Sequence, residues 1–409
     1  MNTSNTIWLS SKGVRRINLT EQAPVSSLYE RFSSAVIDLT EETYGRDANG
    51  ILEALLKPVK TYYIRCNTLK ISPTQLRTRL EDRGLRVHVH PTLPEALGIK
   101  IEGPFEIAST KLQIAIDKHT AESVLQGANV YAPGVKNCPS IHTGDRVTVV
   151  SEVGEILANG TASMNTTDIL TFRKGLAVKI EDRRYKSPQI RDLPEFSEGL
   201  LYPQSLAAMI TSHILDPQEG ESILDMNCAP GGKLSHVSQL MHTSGRIVGL
   251  DRNADKIAQT RRTIRKLGCS NVTLAIHDSR YVDADFGDIK PDRVLIDPPC
   301  SALGLRPKIY DHTEQERVDD LAEYQKQFIR AGSRAVKRGG VVVYSVCTFT
   351  TKECERVVEF AEEECGLHTV EQRPFLGSKG LKLGKSGALC QRFRPDVDEI
   401  GYFIAKFVR

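Results

Sequence analysis

Two cysteines, Cys300 and Cys347, stand where a thiol can do chemistry. The first closes Asp297-Pro298-Pro299-Cys300-Ser301 after one apolar run, and the second follows another in Tyr344-Ser345-Val346-Cys347-Thr348. A thiolate can add to an electron-poor ring and leave again, which is nucleophilic catalysis. Carbon 5 of cytosine is a poor nucleophile that becomes enamine-like only when a thiolate has added at carbon 6. A group that hydrogen-bonds or protonates ring N3 helps that addition, which suits a carboxylic acid held partly buried. Loss of the carbon 5 proton after methyl transfer then lets the thiol leave. D-P-P followed by an aromatic residue marks methylation of exocyclic amines. Here Cys300 takes the aromatic place, and amine methylation needs neither thiol. Cys66, Cys138, Cys269, Cys354, Cys365 and Cys390 read as small buried residues.

Four apolar runs end in a carboxylate, at Asp225, Asp251, Asp278 and Asp297. One such Asp is ordinarily a helix cap or an Asx turn. Four in series point to a nucleoside-bearing cofactor. The first run leads into Asp225-Met226-Asn227-Cys228-Ala229-Pro230-Gly231-Gly232-Lys233, whose glycines would let backbone approach a ligand at a helix N-terminus. It is neither a dinucleotide G-x-G-x-x-G nor a Walker loop, because the first glycine is missing and Leu234 replaces Ser/Thr. Asp251 lies about 20 residues further on, the distance at which a carboxylate accepts from ribose hydroxyls. Without a phosphate clamp, S-adenosylmethionine fits better than a nicotinamide. The expected cofactor contacts are Asn227, Cys228, Ala229, Pro230, Gly231, Gly232, Lys233, Asp251, Asp278 and Asp297. The nine cysteines include no C-x-x-C pair, and no metal is expected.

Placing these groups at one rim requires a particular scaffold. From about residue 189 to 409, apolar runs at Ser222–Met226, Arg246–Leu250, Val272–Ile276, Arg293–Ile296 and Val341–Ser345 alternate with helical periodicity at Ala254–Leu267, Glu314–Val336 and Lys352–Glu364. Further strands are expected near Leu367–Val370 and Tyr402–Val408. That alternation predicts an α/β fold with an open, mostly parallel, doubly wound sheet and its ligand beyond the strand ends. Residues 106–188 carry short β-type runs with turns at Pro133-Gly134, Thr143-Gly144-Asp145 and Asn159-Gly160, a small β-barrel. Residues 1–105 mix helix and strand. Leu28, Phe32, Ala35, Val36 and Leu39 predict one helical face, Pro73–Asp82 a second helix, and Arg86–Val89 a strand.

Composition narrows the setting. Of 409 residues, 40% are apolar and 26% charged, proportions that exclude a disordered, collagen-like or fibrous chain. No apolar run reaches the roughly 18 residues of a membrane span, and Met1–Ser10 lacks the pattern of a secretory signal. Scattered cysteines in odd number suit the reducing cytoplasm. The net charge of +3 is mild, but seven basic residues against two acids between Arg173 and Arg191 form a local cluster. Arg261, Arg262, Arg265 and Lys266 form another. Both suit a phosphate backbone. Tyr131 and Phe172 read equally as base-stacking groups or barrel core.

Residues 200–409 resemble the Sun-domain RNA 5-methylcytosine methyltransferases, with motifs in the family's order. Asn227–Lys233 is similar to its cofactor loop, Asp251 and Asp278 to its ribose and adenine contacts, and Asp297 and Cys300 to its D-x-P-C motif. Cys347 matches its second cysteine motif, and Arg65-Cys66-Asn67-Thr68-Leu69-Lys70 its R-x-N-T-L-K segment. The resemblance implies a class I, Rossmann-like S-adenosylmethionine-dependent methyltransferase domain. It also implies Cys347 as nucleophile, Cys300 assisting release, and Lys233 and Asp297 around the target base. Leu234, Val346 and Pro298 depart from the family's usual Thr, Thr and Ala, and Asn227-Cys228 from its Cys-Ala, without removing a reactive group. The barrel resembles an inserted PUA domain through Gly127–Val135, Gly144-Asp145-Arg146-Val147 and Asn159–Ala162. Together with Gly304-Leu305-Arg306-Pro307, it is similar to the branch acting at cytosine 72 of the tRNA acceptor stem. The expected partner is therefore tRNA, gripped at acceptor stem and CCA end, and bound by a monomer. Ribosomal RNA as substrate, or an RNA-binding protein without turnover, remain the alternatives.

Overall fold

The computed structural model describes residues 28–285, 290–384, 386–397 and 399–409. Met1–Ser10, where no secretory signal was read, lies outside them. No described helix is long and apolar enough to cross a membrane.

The main sheet runs in the order Val272–Ile276, Arg246–Asp251, Ser222–Asp225, Arg293–Ile296, Val341–Val346, all parallel. Tyr402–Val408 then pairs antiparallel with Val341–Val346, and Gln391–Phe393 and Ser378–Lys379 follow. Alternate residues of each central strand go to opposite faces, as a two-residue side-chain period requires. Ile223, Leu295 and Val343 join the core beneath helices Leu206–Leu215, Gly232–Leu240 and Ala254–Leu267. Leu224, Val294, Ile296 and Val342 join the one beneath Gln315–Ala335 and Glu355–Cys365. The chain steps outward from Ser222–Asp225 and returns to its other side at Arg293–Ile296, so a crevice opens where that order reverses.

The N-terminal module is an antiparallel sheet in the order Leu201–Pro203, Thr61–Cys66, Ala96–Lys100, Val87–Val89. A boundary at residue 189 therefore misplaces Leu201–Pro203, which the chain reaches later but which completes this sheet. Ahead of the sheet, the single helix expected through Leu28–Leu39 is broken. Phe32 forms a bridge with Asp311, and Ser33 Oγ accepts from Val36 N to start a new helix at Ser34. Helices Ser34–Tyr44 and Ala48–Leu55 pack Val36, Leu39, Ile51 and Leu55 on Leu303, Val318 and Phe349, which belong to the cysteine-bearing region.

The inserted barrel has six strands, in the order Val130–Tyr131, Leu176–Arg183, Ile156–Ala162, Arg146–Ser151, Gln113–Ile116, Val135–Asn137. Asn159-Gly160 is not a turn but lies within the strand Ile156–Ala162. Asn159 accepts from Thr148 Oγ1 at 2.7 Å and donates to Ala108 O at 2.8 Å, so its amide is spent inside the sheet. A Cβ at Gly160 would stand 2.3 Å from Lys179 O, which is why glycine is needed there. The segment after Cys300 reaches this barrel. Ile309 is fully buried in its core, and Ile309 N donates to Glu122 at 3.1 Å.

Candidate active site

Arg293–Ile296 and Val341–Val346 are hydrogen-bonded neighbours, and the loops leaving them bring Cys300 Sγ to 3.3 Å from Cys347 Sγ. A thiol donating to its neighbour stabilises that neighbour as thiolate. The Cys347 thiol is accordingly lowered, first by the hydrogen bond from Cys300 and further by Lys233. Cys300 is raised by the same contact and by burial. The contact thus makes Cys347 the more acidic thiol of the two.

Lys233 comes from the first turn of helix Gly232–Leu240, and its Nζ donates to Asp297 Oδ2 at 2.6 Å. Although burial works against its charge, Asp297 and Tyr402 keep this lysine well above its ordinary range. Ser345 Oγ donates to Asp297 Oδ1 at 3.0 Å, and Tyr402 OH stands 3.5 Å from the same oxygen. Neither Ser345 nor Tyr402 was singled out in the sequence. Ser345 lies within Tyr344–Thr348, two residues before Cys347, a signal that the sequence carries. Tyr402 arrives on the antiparallel strand and had no such signal.

Beside these groups opens a cleft of about 310 Å³, lined by Asn227, Ala229, Asp251, Asp278, Asp297 and both cysteines among others. Asn227 Oδ1 is buried without a partner, an acceptor left for a ligand donor. Asp251 and Asp278 supply two further acceptors. This set fits a nucleoside with a cationic amino-acid arm, as S-adenosylmethionine is. Asp278 is also gripped by Arg280 through Nε at 2.9 Å and Nη2 at 2.6 Å, and these hydrogen bonds hold its carboxyl below the usual range.

The remaining expected contacts are not among the residues that line the cleft. Cys228 is packed in the core, where burial pushes its thiol up, and its N donates to Leu250 O. Pro230, Gly231 and Gly232 are not among the cleft-lining residues. Gly231 has φ +100° and a Cβ there would meet Thr260 at 3.2 Å, while one at Gly232 would meet the Tyr202 ring at 3.1 Å. Close backbone approach to neighbouring side chains is needed at both positions. Asp225 is buried as well, outside the lining, and burial pushes its carboxyl up to about 7.

Arg65 and Asn67 of the R-x-N-T-L-K segment are buried, and the exposed Lys70 turns back onto the protein. Arg65 donates to Gln204 at 2.5 Å, Gly232 O at 2.7 Å and Ser235 Oγ at 2.7 Å. Asn67 Nδ2 donates to Gly199 O and Leu267 O, and Lys70 Nζ to Glu198 O and Lys266 O. Arg306 of the Gly304–Pro307 run is likewise spent on the carbonyls of Lys57, Pro58 and Pro395. Of the first basic cluster, Arg173 binds the carbonyls of Pro133 and Val135, and Arg184 pairs with Glu155. Lys174, Lys179, Arg191, Arg261, Arg262 and Arg265 stay exposed. Tyr131 and Phe172 are 56% and 68% exposed, so they are surface groups rather than barrel core.

Comparison with known proteins follows the same division. Residues 212–408 match the 16S rRNA methyltransferase RsmB/F family, residues 113–183 the PUA domain, and residues 35–108 the RsmF/B-like ferredoxin-like domain. A tRNA (cytosine(72)-C(5))-methyltransferase from Pyrococcus horikoshii is 38% identical over 383 residues, 92% of this chain and 97% of that protein. The Homo sapiens tRNA (cytosine(72)-C(5))-methyltransferase NSUN6 is 29% identical over 91% of this chain and 94% of its own length. The crystal structure of NSun6 from Pyrococcus horikoshii with SFG, an analogue of S-adenosylmethionine, superposes with a TM-score of 0.87 at 37% identity. That match covers 93% of this chain and 98% of the other.

Proposed function

This chain belongs to the Sun-domain (RsmB/F) family of RNA cytosine-5 methyltransferases, and we propose that within it the protein makes 5-methylcytosine at position 72, in the acceptor stem of tRNA. It is an S-adenosylmethionine-dependent methyltransferase acting on carbon 5 of cytosine in tRNA. The observation that carries the residue roles is the sulfur pair at 3.3 Å beside the Lys233–Asp297 contact. S-adenosylmethionine, when bound, supplies the electrophilic methyl group. Cys347, the sulfur lowered by Cys300 and Lys233, adds to carbon 6 of the cytosine. Asp297 and Lys233 orient the ring and stabilise the charge that builds on it. Cys300 assists release, in which the proton leaves carbon 5 and the C6–S bond breaks to restore the double bond.

The exposed Tyr131 and Phe172, with Lys174 close by in sequence, suit the unpaired CCA end by stacking and phosphate contact. Opening a pair near the end of a stem costs less than opening one inside it, which favours flipping at this position. Two close thiols, prone to oxidation, suit a cytoplasmic setting.

Methyl transfer from labelled S-adenosylmethionine to tRNA transcripts tests the proposal. Transcripts with and without CCA, and with the acceptor cytosine replaced, are mapped by bisulfite sequencing. Wild type should label the acceptor cytosine only when CCA is present. Cys347→Ala should abolish labelling, and Cys300→Ala should accumulate a covalent RNA adduct. Labelling of ribosomal RNA with tRNA unlabelled would overturn the tRNA substrate. Cofactor binding without any labelling would point to an RNA-binding protein.

A further inference from the structure

Behind the sulfur pair lies a carboxylate that takes no part in the cleft. Glu353 is fully buried, at 0% exposure. Its Oε1 accepts from Ser301 N at 2.8 Å and from Gln325 Nε2 at 2.9 Å. Its Oε2 accepts from Ser301 Oγ at 2.6 Å and Thr350 Oγ1 at 3.0 Å, with Thr348 Oγ1 at 3.2 Å. Ser301 directly follows Cys300, and Thr348 directly follows Cys347; their hydroxyls stand 2.7 Å apart. Gln325, on helix Gln315–Ala335, also donates to Pro299 O at 3.1 Å, and Tyr344 OH donates both to Gln325 Oε1 and to Glu353 O.

A buried carboxylate is an expensive way to fill a core. Its desolvation is costly and is offset only when donors are supplied. Apolar residues of the same volume would stabilise the fold as well or better. What the charge adds is direction, because each donor is held at a fixed distance, and the donors belong to both cysteine loops. We infer that Glu353 is a positioning residue of the methyl-transfer site, tying the Cys300 loop to the Cys347 loop and so setting the distance between the two sulfurs. The inference rests on the roles proposed above for the cysteines. Both the addition step and the release step then depend on this one carboxylate, although it touches neither substrate nor cofactor.

Glu353→Gln tests it, since the amide keeps the shape but sets an N–H₂ against donors. Single-turnover methyl transfer should fall about ten- to a hundredfold, the scale on which slight misplacement acts. Affinity for S-adenosylmethionine and KM for tRNA should stay near wild type. Covalent adduct should form more slowly and also decay more slowly, whereas Cys300→Ala slows decay alone. Phenylarsine oxide, which bridges two thiols held close together, gives a readout that needs no RNA. Wild type should bind it tightly, Cys300→Ser weakly, and Glu353→Gln more weakly than wild type. Should Glu353→Gln fail to fold, Thr348→Val removes one hydroxyl from the network at nearly constant shape. Its transfer rate should drop at unchanged KM. A wild-type rate and wild-type arsenical binding in the folded Glu353→Gln or Thr348→Val protein would overturn the inference. So would a loss of cofactor affinity that matches the loss of rate. Failure of wild type to methylate tRNA at all would count against the proposed function instead, and arsenical binding would still decide the role of Glu353.

Discussion

Asp225, Asp251 and Asp278 each accept from the backbone N–H two residues on, at 3.1, 2.9 and 3.2 Å. Each is therefore an Asx turn, and turn-making and ligand-facing prove compatible in one side chain. Burial is what separates them. Asp251 and Asp278 line the cleft, while Asp225 sits in the sheet with its carboxyl pushed up to about 7 from 3.8. Across that interval the folded protein keeps a proton that the unfolded chain releases. The stability this group contributes is complete below about 3.8 and is lost as the pH rises through about 7. Asp225→Asn, which keeps the acceptor, should therefore raise the melting temperature. The gain should grow from about pH 4 to pH 7 and level off above, at an upper bound on the order of 4 kcal/mol. A melting series over pH for both proteins checks this. No sequence pattern could divide the four carboxylates, because all end apolar runs alike. Glu353 carried no sequence signal because Ser301 reaches it through the pairing of Arg293–Ile296 with Val341–Val346, and Gln325 from a packed helix.

Helix Gly232–Leu240 owes its placement to a strand of another sheet. Arg65, 1% exposed, fastens Gly232 O and Ser235 Oγ, while Asn67 and Lys70 fasten carbonyls at the end of helix Ala254–Leu267. A cation at a helix C-terminus also complements its dipole. Burial brings Arg65 down to about 10, which leaves it charged at neutral pH. Arg65→Met should cost on the order of 3 kcal/mol from lost charge-assisted hydrogen bonds. It should also weaken S-adenosylmethionine binding, since Lys233 lies in the same first turn; calorimetric melting and titration read the two effects. The segment was legible as a motif, but where its side chains turn was not. Regular elements such as Pro73–Asp82 and Ala254–Leu267 were legible from periodicity and caps. The break at Phe32, the strand through Asn159-Gly160 and the pairing of Leu201–Pro203 were not. Each depends on a partner remote in sequence: Asp311, Thr148 and Lys179, or Thr61–Cys66.

At the scale of the molecule, the sulfur pair and the barrel share one stretch of chain. Residues 300–309 run from the reactive rim to Ile309, which is buried among Ile114, Ala121 and Leu125. Arg31 adds a second tie, pairing with Glu155 of the barrel at 2.7 Å and donating to Ile309 O. Ile309→Ala should cost about 2–5 kcal/mol of barrel docking, as large-to-small core changes do. Affinity for S-adenosylmethionine should be spared, while labelling spreads to cytosines next to the normal target. Differential scanning calorimetry and bisulfite mapping of the products would detect both. A single melting transition with unchanged product would show that barrel and catalytic sheet are held together by other means.

That shared stretch makes the protein a caliper. One jaw is the barrel with its exposed Tyr131 and Phe172, the other is the thiol pair, and the beam between them is covalent chain with a plugged end. With the CCA end gripped as proposed, such an instrument would select its target by length from a fixed end rather than by the letters around it. Sequence variation along the stem would then matter less than a change in its number of base pairs.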